Sequence, residues 1–161
     1  MKTDVARMLE KSREFMLRSK PVTTEGDAMR MLGLAAAIGS RNDVRKAAQV
    51  LLEKQRPDGG WSQRSELSSD AYATGIALWA LMDAGQLNAS DDAYKRGVKF
   101  LVGTQAPDGS WFVKSRAVIR FQPYFESGFP YEHDQWISSM ATGWAIKALA
   151  VGMPVPTTAA K

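Results

Sequence analysis

An all-α fold of helical hairpins is predicted by three observations. The stretch QRPDGGW at 55–61 returns as QAPDGSW at 105–111, with the glutamine, the Pro-Asp-Gly turn and the tryptophan in one register. ATGIALWAL at 73–81 returns as ATGWAIKAL at 141–149, identical at six of nine positions. Amphipathic stretches alternate with stretches that are apolar on most sides, and no strand pattern competes with them. Repetition on this scale marks stacked supersecondary units, here three hairpins.

The first helix is read from Val5, Met8, Leu9, Phe15 and Met16 on one face and Arg7, Glu10, Lys11, Glu14 and Arg18 on the other. Pro21 ends it, because proline cannot continue a helix. The second, EGDAMRMLGLAAAI, is apolar nearly all round, as buried helices are, and stops at Gly39. Ser40 and Asp43 form a capping-box pattern that opens the third helix, about 41–55, with Val44, Ala47, Ala48, Leu51 and Leu52 inward.

Ser68, Ser69 and Asp70 cap the fourth, AYATGIALWALMDAG. Ser90, Asp91 and Asp92 open the fifth, AYKRGVKFLVGTQ, and Ser138 with Ser139 lead into the last, MATGWAIKALAVG. The organisation is one helical domain at 1–153, with hairpins at roughly 4–39, 41–85 and 90–152, and a disordered tail at 154–161 around Pro154 and Pro156. Gly75 and Gly143 stand mid-helix, where glycine costs about 1 kcal/mol against alanine. That cost implies close approach of a neighbouring helix at both.

Composition bounds the function. A chain of 161 residues, 45% hydrophobic and 24% charged, can bury a real core as a soluble globular domain. No apolar run reaches the roughly 20 residues needed to cross a bilayer. The N-terminal MKTDVARMLEKSREF mixes charge into its apolar positions and is not a secretory signal, so a complete chain would be cytoplasmic. The absence of cysteine excludes disulfides, thiol catalysis and thiolate metal sites, and a single histidine excludes multi-histidine centres. No metal and no cofactor are expected. A scattered net charge of +4 carries no nucleic-acid signature.

The repeated turn has a structural task. Pro57 and Pro107 end their helices, and Asp58-Gly59 and Asp108-Gly109 turn the chain. Gln55 and Gln105 can bind exposed backbone groups at a neighbouring helix end, while Trp61 and Trp111 fill the space between hairpins.

KRGVKFLVGTQAPDGSW at 95–111 resembles the QW motif of squalene-hopene cyclases and protein prenyltransferases at Arg96, Gly97, Phe100, Leu101, Gln105, Gly109 and Trp111. The copy KAAQVLLEKQRPDGGW matches at Lys46, Leu51, Gln55, Gly59 and Trp61, with Ala47 in place of glycine and Val50 in place of the aromatic. The resemblance covers about 40–150; FMLRSKPVTTEG in the first hairpin lacks the Gln, the turn and the Trp. It implies an α/α toroid, the terpenoid-cyclase fold, with apolar helices in an inner ring and amphipathic ones outside. Three hairpins make half of such a ring. The resemblance therefore implies either closure with a second copy, as a homodimer, or a piece of a larger multidomain bacterial protein.

The family's chemistry does not follow. Its cyclases use an Asp-x-Asp-Asp run, and here Asp70, Asp91 and Asp92 read as helix caps. Its prenyltransferases hold zinc with a cysteine, which this chain lacks.

One segment exceeds the repeat: 112–138, FVKSRAVIRFQPYFESGFPYEHDQWIS, which is longer than its counterpart between Trp61 and Ala73. Long loops rich in aromatics and charges are commonly lids or binding loops. His133 with Asp134 or Glu126 is a candidate acid/base pair. Arg116 and Arg120 are candidate anion clamps. Tyr124, Phe125, Tyr131 and Trp136 are candidate ligand walls. Glu132, His133 and Asp134 are consecutive and converge poorly on a metal. The expected function is a non-catalytic repeat module that binds an apolar small molecule or a partner protein, or scaffolds a larger protein. The alternative is a cyclase- or lyase-like enzyme in a toroid completed by dimerisation, with acid/base residues from 115–136.

Overall fold

The computed structural model describes residues 2–37, 40–117 and 124–153. The chain forms α1 (Lys2–Arg18), α2 (Thr24–Ala36), α3 (Arg41–Glu53), α4 (Ala71–Asp83), α5 (Asp92–Thr104) and α6 (Gln135–Val151). Two two-residue strands, β1 (Trp61–Ser62) and β2 (Ser69–Asp70), pair antiparallel below α4 and were not anticipated. The fold is the predicted all-α arrangement of toroid-type hairpins. The predicted stop at Gly39 and the tail 154–161 lie outside the described residues.

Three helix starts carry side-chain caps that satisfy an orphan amide. Ser40 Oγ accepts from Asp43 N at 3.1 Å and Asp70 Oδ1 from Ala73 N at 2.8 Å, as the sequence predicts. Thr23 Oγ1 accepts from Gly26 N at 3.0 Å and sets the start of α2. Ser138 is not a cap. It lies inside α6, fully buried, donating to Val113 O at 3.2 Å and accepting from Val113 N at 3.0 Å. The helix therefore begins at Gln135, after a 3₁₀ turn at Glu132–Asp134. A buried serine that anchors a neighbouring strand reads in sequence like a serine that starts a helix.

The apolar helices α2, α4 and α6 lie side by side, α4 in the middle and buried along nearly its whole length. The amphipathic α3 packs on α2, and α5 packs on α4, each outer helix covering the inner helix of the preceding hairpin. α4 and α6 form the most extensive pair. A Cβ on Gly75 would stand 2.7 Å from Ala145 N and Trp144 C, so the glycine is there because α6 backbone touches it. Trp79 stacks on Trp144 with centroids 5.0 Å apart, and the Lys147 ammonium lies 4.3 Å from the Trp79 centroid. Gly143 departs from expectation: no atom lies within 4 Å of a Cβ placed there.

The two turns act as anchors. Trp61 and Trp111 are buried, their indole N–H groups donating to Leu51 O at 2.7 Å and Leu101 O at 2.8 Å. Their own amides donate to Thr74 Oγ1 and Thr142 Oγ1 on the following inner helices, at 2.9 and 3.0 Å. Each tryptophan thus ties the end of an outer helix to the inner helix of the same hairpin. Gln55 joins one hairpin to the next. Its amide donates to Gly59 O at 2.9 Å and to Ala93 O in the first turn of α5 at 2.8 Å, and its carbonyl accepts from Arg96. Among the described residues Gln105 donates only to its own turn, at Gly109 O, 2.9 Å away.

Candidate functional site

Of the long segment after Trp111 the structure describes 112–117 and 124–134, and polar groups tie these stretches to the start of α6. Asp134 is buried and accepts from Ser115 N at 2.8 Å and from Lys114 Nζ at 3.2 Å. Gln135 is fully buried, with its carbonyl accepting from the amide and hydroxyl of Ser127. Its Nε2 has no partner. Tyr131 hydroxyl meets Ser110 Oγ at 2.6 Å and its ring lies 5.2 Å from that of Phe112. Tyr131 and the following Glu132 take φ of 84° and 46°, a left-handed pair without glycine that the anchored 3₁₀ turn imposes.

The candidate acid/base residues do not converge. His133 is exposed and meets Tyr124 ring edge to face at 5.0 Å, with no hydrogen bond to Asp134 or Glu126 among the described residues. Glu126 accepts from the Tyr124 hydroxyl and from Gly128 N. The Tyr124 bond holds the Glu126 carboxyl below its ordinary range, and the same bond raises the Tyr124 phenol. Asp134 is spent on the backbone of Ser115. Trp136 belongs to α6 rather than to the loop, and its indole N–H donates to Phe125 O at 3.1 Å. Arg120 lies outside the described residues.

Two cavities flank Lys114–Arg116. The smaller, about 110 Å³, has Tyr124, Phe125, His133, Gln135 and Trp136 in its walls, so three of the four aromatic candidates come together there. Tyr131 does not; it packs on Phe112 instead. The larger, about 500 Å³, lies between the start of α4 and the end of α5, with Leu67, Phe100, Phe112 and Val113 as apolar walls. Arg116 and Lys114 stand at its rim and Gln63 with Asp70 at its base. Arg116 is exposed and makes no ion pair among the described residues. Gln63 is buried; its Nε2 donates to Asp70 Oδ2 at 2.8 Å while its Oε1 has no partner.

Burial raises the Asp70 carboxyl above its ordinary value of 3.8, against bonds from Ala73 N and Gln63 that lower it. A raised folded pKa favours the neutral acid. Its contribution to stability is present below pH 3.8 and lost as pH rises through the folded value. Asp70→Asn keeps an acceptor for Ala73 N without the charge. Relative to wild type, the variant should therefore gain stability between pH 3 and pH 7, as urea unfolding at the two values would show. A difference that does not move with pH would mean that Asp70 is solvated in the folded chain.

Against known proteins, the model of the squalene-hopene cyclase C-terminal domain matches residues 25–133. The chain belongs to that family. It is 35% identical over 106 residues to squalene–hopene cyclase of Bradyrhizobium diazoefficiens, covering 57% of this chain and 14% of that protein. Lanosterol synthase of Candida albicans is 35% identical over 80 residues, 45% of this chain and 11% of that protein. Mouse lanosterol synthase is 34% identical over 77 residues, 43% and 10% respectively. The squalene-cyclase-like chain thus spans a small part of the length of these relatives. Among its described residues no helix is long and apolar enough to cross a membrane, and no three metal-ligating side chains cluster.

Sequence reasoning on this squalene-cyclase-like domain missed Gln63, Phe112, Lys114 and Gln135, and read Asp70 only as a cap. The glutamines left no signal, since nothing in sequence distinguishes a buried amide from a solvated one. Phe112 follows Trp111 directly, so a reading of the turn that continued one residue further would have reached it.

Proposed function

We propose that this domain, taken as one unit over 1–153, is a non-catalytic binding module. Its two Gln–Trp turns are QW motifs serving as staples, and its ligand is an apolar small molecule with an anionic end. The 500 Å³ apolar cavity with an exposed arginine at its rim carries this reading. Sites of this size with few polar groups suit small apolar ligands, and a guanidinium suits a carboxylate or sulfonate. Glu126 and Asp134 hold the segment in place in this reading, and His133 packs on Tyr124.

Titration with anilinonaphthalene sulfonate tests it, because the probe pairs apolar rings with a sulfonate. Saturable fluorescence enhancement at one site per chain is expected. Arg116→Ala should weaken binding by about tenfold, the loss of one charge-assisted contact. Phe112→Asp, which puts a charge in the apolar wall, should abolish it. Equal binding by all three proteins would rule the cavity out.

A further inference from the structure

The internal repeat predicts which surfaces a following hairpin should cover, and on α6 two such surfaces are open among the described residues. Residues of α4 and α6 correspond at a spacing fixed by their threonines, Thr74 and Thr142, which accept from Trp61 N and Trp111 N. In α4, Leu78 is 0% exposed and Gly75 is in contact with α6 backbone. The corresponding residues of α6 are Ile146 at 54% exposure and Gly143 facing open space. Leu78 is covered by α5, where a Cβ on Gly97 would meet its Cδ1 at 2.7 Å. The turns show the same asymmetry. A Cβ on Gly59 would stand 2.5 Å from Arg96 O, whereas one on Gly109 would meet only Gln105, at 4.0 Å.

The opposite end of the chain presents the complementary deficit. The outer helices α3 and α5 bury Val44, Ala47, Ala48 and Leu51, and Tyr94, Gly97 and Leu101. α1 buries no residue, and its Val5, Met8 and Phe15 face solvent, as do Val22 and Met29 beside it. An outer helix here packs on the inner helix of the preceding hairpin, and α1 has none among the described residues.

We propose that a second copy of this chain docks head to tail on α6. Its α1 covers Ile146 as α5 covers Leu78. Its α2 runs beside Gly143 as α6 runs beside Gly75. One contact of this kind relieves both open surfaces, and two of them close a pair of chains into a six-hairpin ring. Trp144, the α6 residue against Gly75, aligns in the repeat with Ile76 of α4, six residues after the cap Asp70; Met29 stands six after Thr23, the cap of α2. Met29 of one copy therefore faces Gly143 of the other.

Sedimentation of the full chain from low to high micromolar concentration tests the proposal, and a dimer is expected. Gly143→Leu, Ile146→Glu and Phe15→Glu should each weaken it about tenfold or more, the effect of a central interface residue. Circular dichroism should show all three folded, since these side chains point into solvent in the isolated chain. A mixture of Gly143→Leu with Phe15→Glu retains one intact head and one intact tail and should form mixed dimers. The chain has no cysteine, so Gly143→Cys mixed with Met29→Cys gives a clean disulfide reporter. Cross-linking between the two variants supports the arrangement. A chain that stays monomeric throughout, a dimer indifferent to all three substitutions, or Gly143→Cys cross-linking only to itself would overturn it.

Discussion

Trp111→Ala should lose about 3–5 kcal/mol, the range for truncating a fully buried large aromatic. The ring is 1% exposed and lies between the end of α5 and the start of α6. Two effects add. The cavity left behind cannot collapse, because Trp111 N is pinned to Thr142 and the segment beyond is pinned by Ser138 to Val113. The lost indole N–H also takes the shorter of two side-chain bonds from Leu101 O at a helix end and leaves it the one from Thr104 Oγ1 at 3.2 Å. Trp111→Phe separates the two, since it keeps most of the ring and removes the donor; a loss of about 1–3 kcal/mol is expected. Urea unfolding gives both numbers. A loss below 1 kcal/mol for the alanine variant would mean that the ring does not tie α5 to α6.

The second large effect concerns Gly75. Gly75→Val should cost about 3 kcal/mol or more, above the usual overpacking penalty because the obstacle is backbone. A Cβ there would lie 2.7 Å from Ala145 N and Trp144 C, and neither can rotate away, so α4 and α6 must separate along their whole contact. Gly75→Ala should lose less, since alanine returns about 1 kcal/mol of helix propensity. The same change at Gly143 should have the opposite sign. Its Cβ would enter open space, so Gly143→Ala should stabilise the chain at high dilution by up to about 1 kcal/mol. Thermal melts of the two alanine variants side by side would check the reversal. Two destabilised variants would show that Gly143 has a close neighbour after all.

The contrast between these glycines shows where sequence reading stops. ATGIALWAL and ATGWAIKAL are read as the same element, and locally they are: both are helices, and both place a threonine to receive a tryptophan amide. Which glycine is occupied depends on whether another hairpin lies alongside, and that is no property of the nine residues. Gln55 and Gln105 differ for the same reason, one reaching Ala93 and Arg96 and the other only its own turn.

Around the candidate site less was legible. Tyr124, Phe125 and Trp136 do share a cavity, as their density in the segment suggested. Tyr131 and His133 were sent elsewhere by contacts with Phe112 and Tyr124 that no spacing encodes. Asp134, a plausible acid by neighbourhood, is consumed by the amide of Ser115, nineteen residues away in the chain.

The sequence by itself determined the helices, the caps at Ser40 and Asp70 but not the capping bond expected at Asp91, the order of outer and inner elements, and the two anchoring turns. Each of these follows from interactions within a few residues: periodicity, capping, and the geometry of Pro-Asp-Gly. Only the tertiary structure decided that α6 begins at Gln135, that Gln63 and Gln135 carry unpaired amide atoms, and which surfaces remain open. Those outcomes depend on burial and on partners distant in sequence. A local pattern shows what a residue can do; its neighbours in space select which of those things it does.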